Sequence, residues 1–358
     1  MSEKAKQKHA NTNYVKCEGC GANMSYEPEI GKLKCPYCGS EKELPSEGYA
    51  KEIDLLKGFS EDDAWTNEET SVFSCQNCGA KVVLSSSETA KTCPFCATPH
   101  VEKVEEMAGL RPNGVLPFTI GINRAIELSK AWAKRKLFAP RKFKKNLNYE
   151  NVHGVYAPCF TFDSLTTTTY EGRIGVTHTR TVGSGKNRRT ETYTVWRYIS
   201  GVYDDAFDDV LITAGSKLDQ KRLDKLSPFD TNCGRTYNSG YLMGFMAYRY
   251  DYEITDCWKD AKAKMDAVIK RKILSKYVHD KVAYFNTNTS HERVTYKYVM
   301  LPVFVGVFKY TKKAYNFFVN GNTGRVTGKT PVSPIRVILA VVLGIAFVVL
   351  FAYLMSKG

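Results

Sequence analysis

One pattern of four cysteines occurs twice, and it limits the fold more than any other feature of the chain. Cys17, Cys20, Cys35 and Cys38 form the first set, and Cys75, Cys78, Cys93 and Cys96 form the second. Both read C-x2-C-x14-C-x2-C, and each cysteine of the second set lies 58 residues after its counterpart. The flanks repeat as well: CEGCGA and CPYCG, then CQNCGA and CPFCA. Eight of the 11 cysteines therefore belong to a duplicated device of about 25 residues, too short to bury a core of its own.

Four thiols at this spacing point to a metal. Cysteines two residues apart can both reach one ion across a tight turn, and a tetrahedral Zn2+ takes four such ligands at about 2.3 Å. Gly21, Gly39 and Gly79 follow knuckle cysteines and permit the positive φ such a turn needs. Pro36 and Pro94 pre-set the second knuckles. A disulfide framework would need an oxidising compartment, and nothing resembling a cleavable signal peptide precedes Cys17. The expectation is two structural Zn2+ ions, with rubredoxin-like iron as the alternative. A closed site of four cysteines leaves no open coordination position, so the metal holds a fold and performs no chemistry.

The other end sets the location. Residues 337–355 are 19 residues without a charge or a proline. As a helix they span about 28 Å, close to the hydrocarbon core of a bilayer. From Arg293 to Arg336 there are eight Lys or Arg and no acid, so the positive-inside rule keeps the preceding bulk cytoplasmic. The expectation is a single-pass cell-membrane protein whose thiols face a reducing cytoplasm, in keeping with metal binding.

Between the ends the chain is expected to be α+β: zinc ribbon 1 (14–40), an acidic linker (41–71), zinc ribbon 2 (72–100), a mixed domain (115–330) and the transmembrane helix (337–355). The net charge of +14 is uneven, because residues 41–70 hold ten acidic and three basic side chains. That stretch reads as a solvated linker with one short helix near Ile53–Lys57; the alternative is an acidic docking segment with Leu55, Leu56, Phe59 and Trp65 as apolar anchors. In the mixed domain, Asn123 is a candidate cap for a helix over 124–137 with Ala125, Leu128 and Trp132 on one face. A basic run follows from Lys134 to Lys145. Alternating aromatic and β-branched residues from 153 onward read as strands turning at GSGKNRR, 183–189. A weak helix is expected over 217–226 and a long one over 256–276, with Trp258, Ala261, Met265, Val268 and Ile269 aligned. APCFTFD and TTYEG are echoed by LPVFVGVFKY and AYNFFVNG, which suggests an internal duplication. Asn320 to Gly324 (NGNTG) is a turn signature, and Pro331 and Pro334 forbid the helix a phosphate loop would need.

Together, the knuckles, GVYAPCFTFD, SPFD at 227–230 with YLMGFMAYRYD after it, and FFVNGNTGRVTGKTPVS before the apolar run resemble bacterial tail-anchored proteins with twin zinc ribbons. These are often labelled TFIIB-type zinc ribbon-containing proteins or, through ribbon similarity, primosomal or phage replisome organiser proteins. The resemblance implies association with membrane-stress systems and partners of the flotillin-like or phage-shock type. No Walker motif supports a helicase.

Candidates for catalysis are few. The histidines at 9, 100, 153, 178, 279 and 291 form no recognised pair. His100 could replace a ligand, but four cysteines already fill the site. Cys159, Cys233 and Cys257 read as small buried hydrophobes. Asp204, Asp205, Asp208 and Asp209 read as a solvated turn rather than a cation loop. The expectation is a non-enzymatic scaffold that recruits cytoplasmic proteins to the inner membrane face, with no small-molecule substrate. The alternative is nucleic-acid binding through the ribbons and the 134–145 basic run.

Overall fold

The computed structural model describes residues 15–44, 48–57, 70–85, 92–99, 101–104, 110–145, 152–185, 188–231, 234–310 and 313–357. The first cysteine segment folds as a three-stranded antiparallel sheet, β1 (Ser25–Glu27), β2 (Lys32–Lys34) and β3 (Glu41–Lys42). A twelve-stranded sheet follows. In chain order its strands are β4 (Ile53–Asp54), β5 (Thr70–Cys75), β6 (Lys81–Ser85), β7 (Val101–Val104), β8 (Gly114–Val115), β9 (Val152–Val182), β10 (Arg189–Thr213), β11 (Arg235–Thr236), β12 (Met246–Tyr248), β13 (Lys281–Tyr310), β14 (Lys313–Asn320) and β15 (Val326–Gly328). The helices are α1 (Ile122–Lys134), α2 (Arg141–Lys145), α3 (Gln220–Leu226), α4 (Ile254–Ser275) and α5 (Pro334–Lys357). The chain is thus α+β with one long apolar helix at its C-terminal end.

The centre of the sheet has a pseudo-twofold arrangement. The neighbour order runs β11-β8-β13-β9-β12-β6. β9 and β13 are antiparallel, and their register is reciprocal about two prolines: Pro158 faces Met300 and Tyr156 faces Pro302. β8 runs parallel to β13, and β12 runs parallel to β9. Each half is therefore β–α–β–β: β8, α1, β9, β10 and then β12, α4, β13, β14. The ends of the two hairpins close alike, with Ala214 N donating to Pro158 O at 3.0 Å and Gly321 N to Pro302 O at 2.8 Å. The echo read from sequence is half right. APCFTFD and LPVFVGVFKY occupy equivalent places, but TTYEG continues β9 whereas AYNFFVNG is the returning strand β14. Strand alternation cannot distinguish continuation from return, because the period of two is the same in both.

The aromatic residues that mark these strands build the core. Tyr156, Phe160, Phe162, Phe304 and Phe318 are wholly buried. Phe118 stacks on Phe245 at 4.3 Å and meets Phe304 at 4.8 Å. Beneath α1, the NGNTG turn is organised by Asn320, which is fully buried. Its Nδ2 donates to Leu226 O and Pro228 O, and its Oδ1 accepts from the backbone of Asn322 and Thr323. A side chain at Gly324 (φ +70) would strike Leu128, so the turn needs glycine on two counts.

Beyond the core, β9, β10 and β13 run on as a three-stranded arm. Its regular pairing is broken at Asp163, where two bulges face each other across β9, one between Phe207 and Val210 and the other between Glu292 and Thr295. Asp209 (φ 52) and Arg293 (φ 49) take up the extra residue of each bulge. Asp163 joins both, accepting from Asp209 N at 2.5 Å and from Thr295 Oγ1 at 3.0 Å. From there to Val182 the arm reaches roughly 60 Å at 3.3 Å per residue. α4 braces its lower part through Lys272–Asp205 (2.7 Å), and just past the helix the hydroxyl of Tyr277 meets that of Tyr170 at 2.7 Å.

Several local expectations shift. Gly121, not Asn123, caps α1. α1 buries Ala125 as expected, but Ser129 and Ala133 take the buried places expected of Leu128 and Trp132, because small residues let the helix lie close to the sheet. α4 buries Cys257, Ala261, Met265, Ile269 and Ile273, and leaves Val268 half-exposed. Ile53–Asp54 is a strand paired with β13, followed by a single 3-10 turn, in place of a linker helix. Phe59 and Trp65 of the acidic stretch lie outside the described residues.

Candidate metal centres

The four knuckles share one backbone pattern. The first cysteine's N–H donates to the carbonyl five residues on: Cys17 to Ala22, Cys35 to Ser40, Cys75 to Ala80 and Cys93 to Thr98, at 2.8–2.9 Å. Its own carbonyl accepts from the residue four on, which is Gly21, Gly39, Gly79 or Ala97, at 2.8–3.0 Å. Those residues all sit at positive φ: 71°, 77°, 68° and 53°. A Cβ at any of the three glycines would meet nothing within 4 Å. The glycines serve backbone conformation, then, and Ala97 bears the cost of a left-handed residue that they avoid.

This pattern points the sulfurs inward. In each site all four Sγ atoms lie within 4.8 Å of one another. Across the first site Cys17–Cys38 is 3.3 Å and Cys20–Cys35 is 3.5 Å; across the second, Cys75–Cys96 is 3.6 Å and Cys78–Cys93 is 3.7 Å. Thiolates bound at about 2.3 Å around a tetrahedral ion would stand about 3.8 Å apart, whereas a disulfide needs about 2.05 Å. Each group of four cysteines can hold one metal ion. Cys17, Cys35, Cys75 and Cys93 are buried, Cys20 and Cys38 are exposed, and Cys78 and Cys96 are partly buried. The Ser40 hydroxyl, 3.1 Å from Cys38 Sγ, pulls that thiol down to about 6 with help from the Ser40 amide. The Cys93 thiol lowers Cys78 to about 5. Cys20, up to about 12, and Cys93, raised by its hydrogen bond to Cys78, move the opposite way, so in each quartet one thiol gives up its proton readily while another keeps it.

Neither site hangs free. The first docks through Tyr26, whose N–H donates to Met243 O at 3.0 Å and whose hydroxyl donates to Phe118 O at 3.3 Å. The second belongs to the large sheet itself: β6 pairs with β12 at Val83–Ala247, and Phe95 packs on Tyr248 at 5.1 Å. Residues 241–248 thus lie between the two sites and touch both. Nothing in the cysteine spacing announced that clamp.

The remaining candidates separate. Burial raises the thiols of Cys159 and Cys257, the latter to about 12, which suits packing better than nucleophilic attack. Ser164 Oγ is 3.3 Å from His291 Nδ1, but Ser164 is buried and its hydroxyl donates to Leu165 O. Cys233, His9 and His100 lie outside the described residues. The aspartates read as a turn are instead part of β10 at its bulge. Asp205 pairs with Lys272, Asp209 pairs with Lys297 at 2.7 Å, and Asp208 joins Glu52 and Asp163 in an acidic group. Of the eight basic residues counted before the apolar run, Lys297 is buried in that ion pair, and Arg325 donates to the carbonyl of Ser227.

α5 is the one helix among the described residues that is long and apolar enough to cross a membrane, with a mean hydropathy of 3.0 and none of it buried.

No family model matches the chain, and no solved structure matches it significantly. It is similar to the uncharacterized protein YdjG of Bacillus subtilis (strain 168), 28% identical over 325 residues covering 89% of this chain and 90% of that protein.

Proposed function

We propose that the protein is a membrane-anchored, non-enzymatic adaptor in which two structural Zn2+ ions, bound by Cys17, Cys20, Cys35, Cys38 and by Cys75, Cys78, Cys93, Cys96, brace a rigid platform on the cytoplasmic face of the cell membrane. The observation that carries this reading is the arm. One of its faces presents Trp196, Tyr198 and Tyr284 around Arg173, whose guanidinium lies 5.5 Å from the Trp196 ring and 5.4 Å from that of Tyr198. Tyr198 is 72% exposed. Aromatic residues grouped around an arginine are the composition of protein-binding hot spots. Among the described residues β10 pairs only with β9, which leaves an edge along the arm that a partner strand can extend. The large sheet joins the second ribbon to the arm and leads through β14 and β15 to α5. An anchored body of that kind presents the arm at a set place relative to the bilayer.

The resemblance described above makes flotillin-like or phage-shock-type membrane proteins the partners to look for. Nucleic-acid binding is the competing reading. The basic run weighs against it, because its corner abuts the foot of the apolar helix, where lipid headgroups would compete for the same cations.

The test is co-purification of the full chain from detergent-solubilised membranes, followed by mass spectrometry. Specific proteins should be lost on chelation and on replacing Trp196 and Tyr198 with serine. Recovery of nucleic acid alone, or a protein set indifferent to both changes, would overturn the proposal.

A further inference from the structure

We propose that the corner between α1 and α2 is a second membrane contact, where Leu137 and Phe138 enter the headgroup layer of an anionic bilayer and Arg135, Lys136, Arg141 and Lys142 hold lipid phosphates. This rests on the reading that α5 crosses a bilayer, and the experiment below separates the two.

The sequence supplies the charge. Between Glu127 and Glu150 there is no acidic residue. The fold supplies the position. Ser333 N donates to Phe138 O at 2.8 Å. Arg336 Nη1 donates to Leu137 O at 2.9 Å and to Ala139 O at 2.7 Å. The corner is therefore bonded to the first residues of α5. From Ser333 to Val337, where the uncharged run begins, is about 6 Å of helix rise. The headgroup layer on each side of the hydrocarbon is about 5–7 Å deep. The corner is thereby held within reach of the headgroup layer when α5 spans, and attraction of its cations to anionic lipid draws Leu137 and Phe138 into that layer.

The corner is built to project those two side chains. Phe143 is buried and meets Phe308 edge-to-face at 4.8 Å, with Ala133 and Ala139 packed around the pair. That cluster fixes the turn, yet it leaves Leu137 78% and Phe138 44% exposed. Arg135, Arg141 and Lys142 are exposed beside them. Lys136 lies over the Trp132 ring at 4.9 Å, with its ammonium held at the same corner. Adjacent apolar side chains ringed by cations suit a membrane surface, where the hydrocarbon boundary takes the former and anionic headgroups the latter. A nucleic-acid duplex, with its bases stacked inside, would use the cations and leave Leu137 and Phe138 in water.

The full chain is reconstituted into vesicles of phosphatidylcholine, alone or mixed with anionic phosphatidylglycerol, carrying bromine near the headgroups. Phe138→Trp adds a reporter above the native tryptophans, and Leu137→Trp serves as a second reporter should the first disturb the corner. The added emission should be quenched severalfold more in the anionic vesicles. Replacing Arg135, Lys136, Arg141 and Lys142 with glutamine in the same background should return it to the zwitterionic level. Equal quenching by aqueous iodide with and without anionic lipid, in protein that survives carbonate washing, overturns the corner contact and leaves the span intact. Release by carbonate overturns the span and the contact with it. Bromine quenching untouched by the glutamines, with nucleic-acid retention lost instead, overturns the lipid assignment.

Discussion

Ala97 occupies the place that Gly39 holds in the first site, with the same hydrogen bonds and the same sign of φ. An L-residue in the left-handed region costs about 1–2 kcal/mol. Glycine avoids that cost but loses more chain entropy on folding, about 0.5–1 kcal/mol. The difference favours Ala97→Gly by roughly 0.5–1 kcal/mol. Gly39→Ala should lose a similar amount, since a Cβ there meets nothing and only the backbone objects. In segments this short the free energy of metal binding is folding free energy, so these figures become about two- to fivefold changes in grip at one site each. The assay exposes the full chain in detergent to a chelator and an alkylating reagent, and mass spectrometry reads which cysteines are modified first. Ala97→Gly should slow modification of Cys93 and Cys96, while Gly39→Ala should hasten that of Cys35 and Cys38. If both substitutions leave the site-resolved rates unchanged, the left-handed knuckle residue does not limit metal retention and the reasoning fails.

Two further outcomes follow from buried polar groups. Asn320→Ala removes two donors and two accepted amides inside the core and should cost about 3–5 kcal/mol, read as a lowered urea midpoint; a loss under about 0.5 kcal/mol would mean that water replaces the side chain. Burial raises Asp163 to about 6, against about 3.9 when unfolded. Between about pH 4 and 6 the folded chain keeps a proton that the unfolded chain has released, so stability falls as pH rises through that window and is flat above it. Asp163→Asn should flatten this slope in urea titrations; a variant that keeps the parental slope would assign the pH dependence to other groups.

How far the sequence could be read follows from the range of each signal. The cysteine quartets and the apolar run carry local patterns that need no partner to be recognised, and the structure brings each quartet within reach of one ion. α3 and α4 were legible because periodic apolar positions report a helix wherever it packs. The turn expected at Asp204–Asp209 was wrong, because polar residues in an exposed strand resemble those of a loop when the strand has no apolar face to declare itself. Pro158 and Pro302 hinted at a repeat, yet no sequence feature marks that β8 crosses to β13 and β12 to β9.

The amino-acid order alone determined that thiols gather in fours and that one segment prefers hydrocarbon to water, since covalent spacing and side-chain polarity settle both. Only the tertiary structure decided that the second cysteine site is part of the main sheet, that one clamp at 241–248 touches both sites, and that the basic run beginning at Lys134 stands beside Arg336 at the foot of α5. Those contacts join residues far apart in the chain, where the closing of long loops and the sharing of backbone hydrogen bonds leave no local trace to read.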